Sequence, residues 1–594
     1  MDQNLSKESL IKEIERLKKE LKKKKKYGLV WEEKPEEVVE MCKTKLPVLK
    51  EVKNKEIITD KDKPVNLLIE GDNYHALSVL NYTHAKKVDV IYIDPPYNTG
   101  ARDWKYNNNY VDINDAWRHS KWLSFMSHRL RLLKNLLSPN GVLICTIDHN
   151  EQEALGLLLK ELFPSKEITC VTIIHNPSGI QGKNFSYNNE YAYFVYRGDQ
   201  KVIAFEERTD EDADIRQFMN TAKGRSINYL RESGSNCFYP IFVKNLEIVG
   251  FGEVCDKSFH PKNSNVLRKD GVIELYPIDS EGVERKWVFS RQNVESIKDE
   301  LSIKYNKKTK TISIIRTKKQ INYKTVWSGE KFNAKTYGTQ LLNNILGKEF
   351  PFPKSLYAVE ECIKTVVHNK NKAIILDFFA GSGTTGHAVL ELNKEDGGNR
   401  KFILCTNNED NNGNGFKIAE DICYPRIKKV IEGYKNLKGE KVAGLGGNLK
   451  YFKTDFVVYD EPTDRNKIKL TAEATEMLCV KEGTFEEIGE PASAKASAGK
   501  LDQKFQIFKN ANHYTGIIFD QAAIPVFKKA IKDIKGKFSV YVFSLGDEDF
   551  SEEFADLNKK RSEAKSRTEL DSGARIQLSP IPEAILRVYR RIFK

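Results

Sequence analysis

Short apolar runs alternate with amphipathic helical patterns in two separated parts of the chain. Such alternation is typical of an α/β fold built on a mostly parallel sheet. The runs that predict strands lie at 65–72, 88–93, 141–147, 171–174, 191–196, 372–378 and 402–405. The patterns that predict helices lie at 74–81, 117–137, 150–162, 384–392 and 420–431. The strand at 65–72, the helix at 74–81 and the strand at 88–93 together predict a βαβ unit.

The stretch between the two α/β parts has a different pattern. Four short patterned runs with turns between them predict β-structure at 248–251, 272–275, 287–289 and 311–315. Near the N-terminus, an apolar stripe with 3–4 spacing over 1–26 is compatible with a docking helix or with a solvated basic arm. Towards the C-terminus we expect a flexible linker at 491–500, a charged exposed loop at 558–573 and a basic helix at 581–592.

Composition narrows the class of protein. The 594 residues suffice for three or four domains, and the formal charge of +13 favours a polyanionic partner. No long apolar run predicts a membrane span, and no apolar segment near the N-terminus predicts a signal peptide. The nine cysteines are scattered without a CxxC pair, which argues against a zinc site and a disulfide framework. We therefore expect a cytoplasmic protein without a metal.

The strand at 88–93 ends on Asp94-Pro95-Pro96-Tyr97. Proline lacks an N–H and restricts the residue before it, so the strand must stop there. Asp94 and Tyr97 are thus predicted on a stiff loop at the carboxyl end of a strand, where open α/β sheets bind ligands. Asp72 is expected at the same edge, with an Asx turn as its structural alternative. His175 is either a base or polar filling beside a turn.

The predicted strand at 372–378 leads into Asp377-Phe378-Phe379-Ala380-Gly381-Ser382-Gly383-Thr384. The glycine spacing matches the dinucleotide fingerprint, which is weak evidence alone, and no GK[ST] follows to make a P-loop. Asp377 can accept hydrogen bonds from an amino-acid ammonium, and Phe379 offers an apolar wall. This combination suits S-adenosylmethionine better than NAD, although an oxidoreductase remains the distant alternative.

A methyl donor and an Asp-Pro-Pro-Tyr loop together indicate methylation of an amino group. The adenine N6 amine is a poor nucleophile because its lone pair is delocalised into the ring. Hydrogen bonds from that amine to the Asp94 carboxylate and the Pro95 carbonyl would move the nitrogen towards tetrahedral geometry and free the lone pair. Tyr97 would offer a ring on which an extruded base can stack.

The chain resembles a known family at these motifs. IDPPYNTG is similar to the catalytic motif of amino-group DNA methyltransferases, and DFFAGSGTT to their cofactor motif. The catalytic motif comes first by about 280 positions, an order that resembles the circularly permuted β-class. Further stretches resemble modification subunits of type III restriction–modification systems; they include GDNYHALSVL, GVLICTIDHNE, YGTQLLNNILGKEFPFPKS, RKFILCTNNED and TAEATEMLCVKEGTF.

The resemblance implies roles for individual residues. Asp94, Pro95 and Tyr97 would be catalytic, with Pro96 shaping the loop. The cofactor would be held at its methionine end by the glycine turn, at its adenine by Asp72 and at its ribose by Glu409, with Asn407 or Asn408 as alternatives. The implied methionine contacts are Asp377, Phe379, Gly381, Gly383 and Thr384. Thr336, Gly338 and the Phe352-Pro353-Lys354 turn match a segment that packs over the cofactor.

A basic stretch in the insert is a candidate DNA contact, interleaved with aromatic residues. A solvated charged face explains the same stretch equally well. Its basic residues are Lys307, Lys308, Lys310, Arg316, Lys318 and Lys319.

The expected fold is therefore α/β: a Rossmann-like methyltransferase sheet with an inserted, mostly β recognition domain and an α/β C-terminal extension. The expected domains are an N-terminal arm (1–60), a catalytic half (61–200), a recognition insert (201–335), a cofactor half (336–440) and a C-terminal domain for partner or dimer docking (441–594).

The expected function is site-specific methylation of adenine N6 in duplex DNA by a homodimer that can recruit a helicase-nuclease subunit. Alternatives are a cytosine N4-methyltransferase, a solitary methylase and an inactive DNA-binding specificity module.

Overall fold

The computed structural model describes most of the chain. The described residues are 14–15, 29–207, 214–221, 227–348, 350–351, 353–408, 415, 417–488, 504–563 and 575–593. Nearly all of the N-terminal stripe at 1–26, the linker at 491–500, Phe352 and Glu409 lie outside these residues, so the predictions made for them are not addressed.

A mixed sheet of eleven strands, counted over the described residues, forms the centre of the larger unit. A two-residue strand, Ile57–Ile58, pairs beside the main path. The ten strands of the main path are β1 (Lys45–Glu51), β2 (Val65–Glu70), β3 (Val88–Ile93), β4 (Leu137–Ile147), β5 (Glu167–Ile174), β6 (Asn189–Tyr196), β7 (Val326–Trp327), β8 (Ile374–Asp377), β9 (Lys401–Thr406) and β10 (Asn448–Val458).

The strands lie in the order β1-β10-β2-β9-β8-β3-β4-β6-β5-β7. The block from β10 to β4 is parallel throughout, so the carboxyl ends of β2, β9, β8, β3 and β4 share one edge. β6 is antiparallel to β4 and β5. The two strands of the predicted βαβ unit, β2 and β3, are therefore not adjacent in the sheet. β8 and β9 from the second half of the chain lie between them.

Helices accompany these strands. They are α1 (Asn73–Thr83), α2 (Arg118–Leu133), α3 (Gln152–Leu162), α4 (Leu356–Val367), α5 (Thr384–Asp396) and α6 (Tyr424–Glu432), the last preceded by a π-helical turn at Ile418–Cys423. The strand side chains are buried on both faces, as expected for a parallel sheet covered by helices. The α/β class predicted from the sequence is confirmed.

The chain divides into two compact units: one is Met1–Ala204 with Lys324–Lys594, and the other is Phe205–Tyr323. The smaller unit is built from antiparallel strands around a core that includes Phe218, Tyr239 and Trp287. Its sheets comprise Phe205–Glu207 with Gln320–Asn322; Asp214–Gln217, Leu301–Asn306 and Thr311–Lys318; and Ile241–Lys244, Glu247–Phe251, Asn265–Leu267 and Ile273–Leu275.

The C-terminal part of the larger unit adds a second sheet. Its strands are Glu486–Glu487, Phe505–Asn510, His513–Ile518, Lys537–Phe543 and Ile576–Ile581, with helices Asp464–Glu473, Thr475–Glu482, Ile524–Ile531, Ala555–Glu563 and Glu583–Ile592. The last helix packs on the central sheet, where the Tyr589 hydroxyl donates to the Pro47 carbonyl at 2.5 Å.

Three predicted elements are wrong. α2 ends at Leu133 rather than at Leu137, because the next residues form tighter turns. Leu137 is already the first residue of β4, where it pairs with Val88 of β3. Residues 287–289 are not a strand; Trp287 forms an isolated bridge with Met219 and is held by its buried ring. The predicted loop at 558–573 begins inside a helix that runs to Glu563, and 564–573 lies outside the described residues.

Among the described residues, no helix is long and apolar enough to cross a membrane. In the same part of the chain, no group of three or more metal-ligating side chains comes together.

Candidate active site at the carboxyl edge of the sheet

The loop that follows β3 is fixed by hydrogen bonds to Pro96 and Asn98. The Trp122 indole N–H in α2 donates to the Pro96 carbonyl at 2.7 Å. Asn98 is fully buried and adopts a left-handed φ of 57°, a conformation that asparagine tolerates better than most residues. Its side chain donates to Glu151 at 2.5 Å and accepts from the Trp104 indole at 3.1 Å. The loop is thus fixed before any ligand binds.

Asp94 lies at the centre of the site. Its Oδ1 accepts from the Thr146 hydroxyl at 2.7 Å and from the Tyr97 hydroxyl at 2.8 Å, and the Lys354 ammonium lies 3.2 Å from the same oxygen. Within the described part of the chain, all of these contacts fall on Oδ1, so Oδ2 is the oxygen available to an incoming donor. Thr146 belongs to β4 and also donates to the Ile93 carbonyl at 3.2 Å, so the neighbouring strand sets the orientation of the carboxylate.

Glu190 completes this network from the start of β6. It is almost fully buried, accepts from the Tyr97 hydroxyl at 3.1 Å and forms an ion pair with Lys354. Burial opposes both charges, but the two carboxylates hold the pKa of Lys354 above its usual range, and the ammonium holds the pKa of Glu190 below its own. Burial and the adjacent Asp94 charge raise the pKa of Tyr97, so it remains a hydrogen-bond donor.

The glycine turn lies at the same edge, after β8. Asp377 is buried; its Oδ1 accepts from the Phe379 amide at 2.9 Å and its Oδ2 from the Thr385 hydroxyl at 2.5 Å. Gly383 has a φ of 79°, and Gly381 has a φ of 48°. A Cβ at Gly381 would meet only the Phe379 carbonyl, at 3.8 Å, so the turn leaves open space above its backbone.

The Asp94 carboxylate acts electrostatically on the Asp377 carboxyl group. Burial raises the pKa of the Asp377 carboxyl to about 7, and the Asp94 carboxylate adds to the rise. A buried carboxyl group beside an open backbone turn favours a cationic ligand, since a positive charge would offset the cost of burying the carboxylate. The donor set therefore fits S-adenosylmethionine, which carries an ammonium and a sulfonium.

Asp72 and its neighbours link the two motifs. Asp72 Oδ1 accepts from the Tyr74 amide at 2.7 Å and caps α1, as in the Asx alternative. Asn73 donates to the Phe378 carbonyl at 3.1 Å and accepts from the Arg129 guanidinium. The buried Arg129 also forms an ion pair with Glu36 at 2.8 Å. Asn73, Arg129 and Glu36 were not singled out from the sequence, although a buried arginine on the apolar face of a helix is unusual.

The remaining predicted cofactor contacts behave differently from one another. A Cβ at Gly338 would lie 2.3 Å from the Pro353 carbonyl, so only glycine lets this segment pack on the turn that carries Lys354. The Thr336 amide lies on the same segment and donates to Asn333 at 3.3 Å. Both ends of the Asn408 amide are engaged, by Glu70 at 2.7 Å and by the Glu420 amide at 3.1 Å.

In the smaller unit, the basic candidates separate into two groups. Lys307, Lys308 and Lys310 are exposed on the turn between two strands. Arg316 donates to Glu300 at 2.5 Å and lies over the Phe289 ring, so its charge is already neutralised. Lys318 ends its strand partly buried, and Lys319 follows it exposed.

Comparison with known proteins decides the family. The family model described as DNA methylase matches residues 88–423, which is more than half of the chain and includes both motifs. The chain belongs to the DNA methylase family.

Relatives of this DNA methylase include the type III restriction-modification enzyme EcoPI Mod subunit of Escherichia phage P1, 29% identical over 442 residues, which cover 66% of each chain, just under two thirds. The type II methyltransferase M.KpnI of Klebsiella pneumoniae is 27% identical and is matched over 63% of this chain and 89% of its own. The EcoP15I Mod subunit of Escherichia coli is 25% identical, with coverages of 71% and 72%. Among solved structures, the M1.HpyAVI-SAM complex matches 58% of this chain and 94% of its own, with 12% identity and a TM-score of 0.27.

The raised pKa of Asp377 predicts a pH-dependent stability. Its folded value of about 7 exceeds the unfolded value of 3.8, so the folded chain holds this proton more tightly. The tighter proton binding of the folded chain stabilises it at low pH. The free energy of unfolding should therefore fall as the pH rises from about 4 to about 7, and Asp377 should cause no further change above that. Asp377→Asn should gain stability relative to the wild type over the same interval, measured by urea denaturation at closely spaced pH values. The exposed Asp533→Asn is the control, and a pH-independent difference for Asp377→Asn would contradict the assignment.

Proposed function

We propose that the chain is a site-specific DNA adenine N6-methyltransferase that uses S-adenosylmethionine, and that it is the modification subunit of a type III restriction–modification system. The observation that carries the proposal is the state of Asp94. Among the described residues, Thr146, Tyr97 and Lys354 all contact its Oδ1, and its Oδ2 remains available to a substrate at the sheet edge that Asp94 shares with Asp377.

The residues of the loop have defined parts in this proposal. Asp94 Oδ2 and the Pro95 carbonyl accept the two N–H groups of an extruded adenine, which moves its nitrogen towards tetrahedral geometry. Pro96 fixes the loop through its bond to Trp122. Tyr97 offers its ring to the base while its hydroxyl remains bound within the buried network. Because the acceptors are fixed before binding, little reorganisation is needed during the reaction.

The cofactor supplies an electrophilic methyl group on a sulfonium. Asp377 and the open backbone of Gly381 would hold its amino-acid end, with Phe379, Gly383 and Thr384 shaping the turn. At the other end, Asp72 would approach its adenine. Its ribose contact is assigned to Glu409, with Asn407 or Asn408 as alternatives. Thr336, Gly338 and Lys354 belong to the segment that covers the cofactor.

A cytosine N4-methyltransferase is the nearest alternative, because the family covers amino groups of both bases. The acidic first residue of the Asp-Pro-Pro-Tyr loop favours adenine, since cytosine enzymes resemble Ser-Pro-Pro-Tyr at this position. A solitary methylase would use the same residues. An inactive specificity module is disfavoured, because selection for binding alone would not require the buried network around Asp94.

The wider assembly is also part of the proposal. We assign target recognition to the insert, predicted at 201–335, and partner or dimer docking to the C-terminal domain at 441–594. We further propose that the chain belongs to the class with a permuted order of the two motifs, that it forms a homodimer, that it has a helicase-nuclease partner, and that it is cytoplasmic. The similarity to Mod subunits supports the partner, and nine free cysteines suit a reducing compartment.

The central experiment maps methylated bases. The purified protein is incubated with mixed-sequence duplex DNA and S-adenosylmethionine, and modified bases are read at single-nucleotide resolution. We expect N6-methyladenine at one recurring motif. N4-methylcytosine at a recurring motif would instead select the alternative, and unmodified DNA would refute the proposed activity.

Asp94→Ala separates catalysis from cofactor binding. Loss of the acceptor should lower the rate of methyl transfer by roughly 100- to 1,000-fold. Cofactor affinity should stay within about threefold of wild type, measured by calorimetry, because Asp94 is proposed to contact the base and not the cofactor. Asp94→Asn, which keeps the shape and removes the charge, is the matched control. Loss of cofactor binding in either variant would show that the role of Asp94 is misassigned.

Charge reversal tests the exposed turn of the smaller unit. Lys307→Glu, Lys308→Glu and Lys310→Glu together should weaken DNA binding and flatten its salt dependence by about one unit of slope for each phosphate that the turn no longer neutralises. The matched control reverses three other exposed lysines of the same unit, Lys244, Lys257 and Lys269. If the two triple variants showed the same salt dependence of DNA binding, the turn would be an ordinary solvated surface and not a DNA contact.

A further inference from the structure

A short hairpin rises from the candidate active site between β5 and β6. Its strands are Ile180–Gln181 and Ser186–Tyr187, which pair antiparallel, and the Gly182 amide donates to the Phe185 carbonyl at 3.0 Å to close the turn. We call residues 179–187 the wedge hairpin. Gly179 has a φ of 69°, and a Cβ there would lie 2.0 Å from the Ser186 hydroxyl, so the hairpin requires glycine at its base.

The segments that flank the wedge hairpin lead to the network around the Asp94 carboxylate. On one side, β5 leads into His175, whose surroundings include the charges of Glu190, Lys354 and Asp94. On the other side, Glu190 follows the hairpin by three positions and accepts from the Tyr97 hydroxyl. The hairpin is therefore connected at both ends to residues of the candidate active site.

The hairpin exposes apolar side chains at this position. Phe185 is 77% exposed, Ile180 is 63% exposed and Tyr187 is 45% exposed. Single exposed apolar residues are normal on protein surfaces, but three on one hairpin beside a catalytic loop form a patch that indicates a contact site. The segment 176–189 contains no acidic residue, and its charged residue is Lys183. That charge and the absence of acids suit a polyanionic partner.

The hairpin is tied to the catalytic strands by an aromatic stack. The Tyr187 ring lies 4.0 Å from the His149 ring, with an angle of 6° between their planes. His149 follows β4, the strand whose Thr146 orients Asp94. The stack holds the second strand of the hairpin against the sheet edge, while Phe185 remains at the exposed turn.

We infer that the wedge hairpin enters duplex DNA beside the target base, and that Phe185 takes the space from which the base is extruded. The inference rests on the proposed function and extends it to the step before methyl transfer. Extruding a base costs stacking and pairing, and DNA-bending proteins insert apolar side chains between the base steps that they unstack. An exposed aromatic ring on a hairpin fixed at both roots meets this requirement.

The test uses Phe185→Ala on two duplexes that contain the mapped target site. In one the target adenine is paired with thymine, and in the other it lies opposite an abasic position, where extrusion costs less. On the paired duplex, the variant should show a kcat at least tenfold below wild type; on the abasic duplex, it should recover to within about threefold. Cofactor affinity should be unchanged, and Phe185→Trp, which keeps an aromatic wedge, should retain activity on the paired duplex.

A fluorescent readout follows extrusion directly. With 2-aminopurine in place of the target adenine, wild type should raise the fluorescence on binding, and Phe185→Ala should raise it less. Ile58→Ala is the matched control, since Ile58 is 59% exposed on a strand that pairs with β10, far from β4 in the order of the sheet. This control should behave as wild type in both assays.

The outcomes separate the two proposals. If the wild type methylates DNA and Phe185→Ala has the same kcat on the paired duplex, the wedge inference is wrong while the proposed function stands. Equal loss of activity on both duplexes would also overturn it, because a structural defect is not rescued by weaker pairing. Absence of methylation by wild type on every duplex would refute the proposed function, and the wedge inference with it.

Discussion

The pairing of β3 with β8 is the constraint on which the site depends. Val90 pairs with Ile375 and Ile91 with Leu376, in parallel and buried on both faces. Because parallel strands end at a common edge, this register brings Asp94 and Asp377 together although they are far apart in the chain. A slip of one residue would turn every side chain of the strand to the opposite face, so the burial of both faces also fixes the geometry of the site.

A second constraint is the buried charge network around Asp94. Lys354 and Glu190 come from different segments, and each would be costly to bury alone. Together with Tyr97 they satisfy one another and hold Asp94 with one oxygen occupied. The ion pairs and hydrogen bonds among these groups offset their desolvation and fix the Asp94 carboxylate, which is the arrangement that electrostatic preorganisation requires. The wedge hairpin lies between strands that flank the same network, so the proposed base entry and the proposed methyl transfer would both depend on these buried contacts.

Local patterns predicted most elements of the central sheet well. The strand at Val88–Ile93 and the start of α5 at Thr384 match the sequence prediction, because apolar runs and glycine turns are local features. The boundary near Leu137 was wrong because a helical spacing of leucines continued across a turn into β4. Glu190 and Arg129 were not identified as site residues, because their roles come from partners that lie far away in the sequence.

The sequence by itself determined the α/β class, the stiff loop at Asp94 and the glycine turn after Asp377, since each follows from residues that are neighbours along the chain. The tertiary structure alone decided that β8 and β9 lie between β2 and β3, which places the strands of the two motifs side by side. It also decided which oxygen of Asp94 is occupied and where the wedge hairpin rises. These features depend on strand order and on buried pairs between distant segments, and one-dimensional spacing does not encode them.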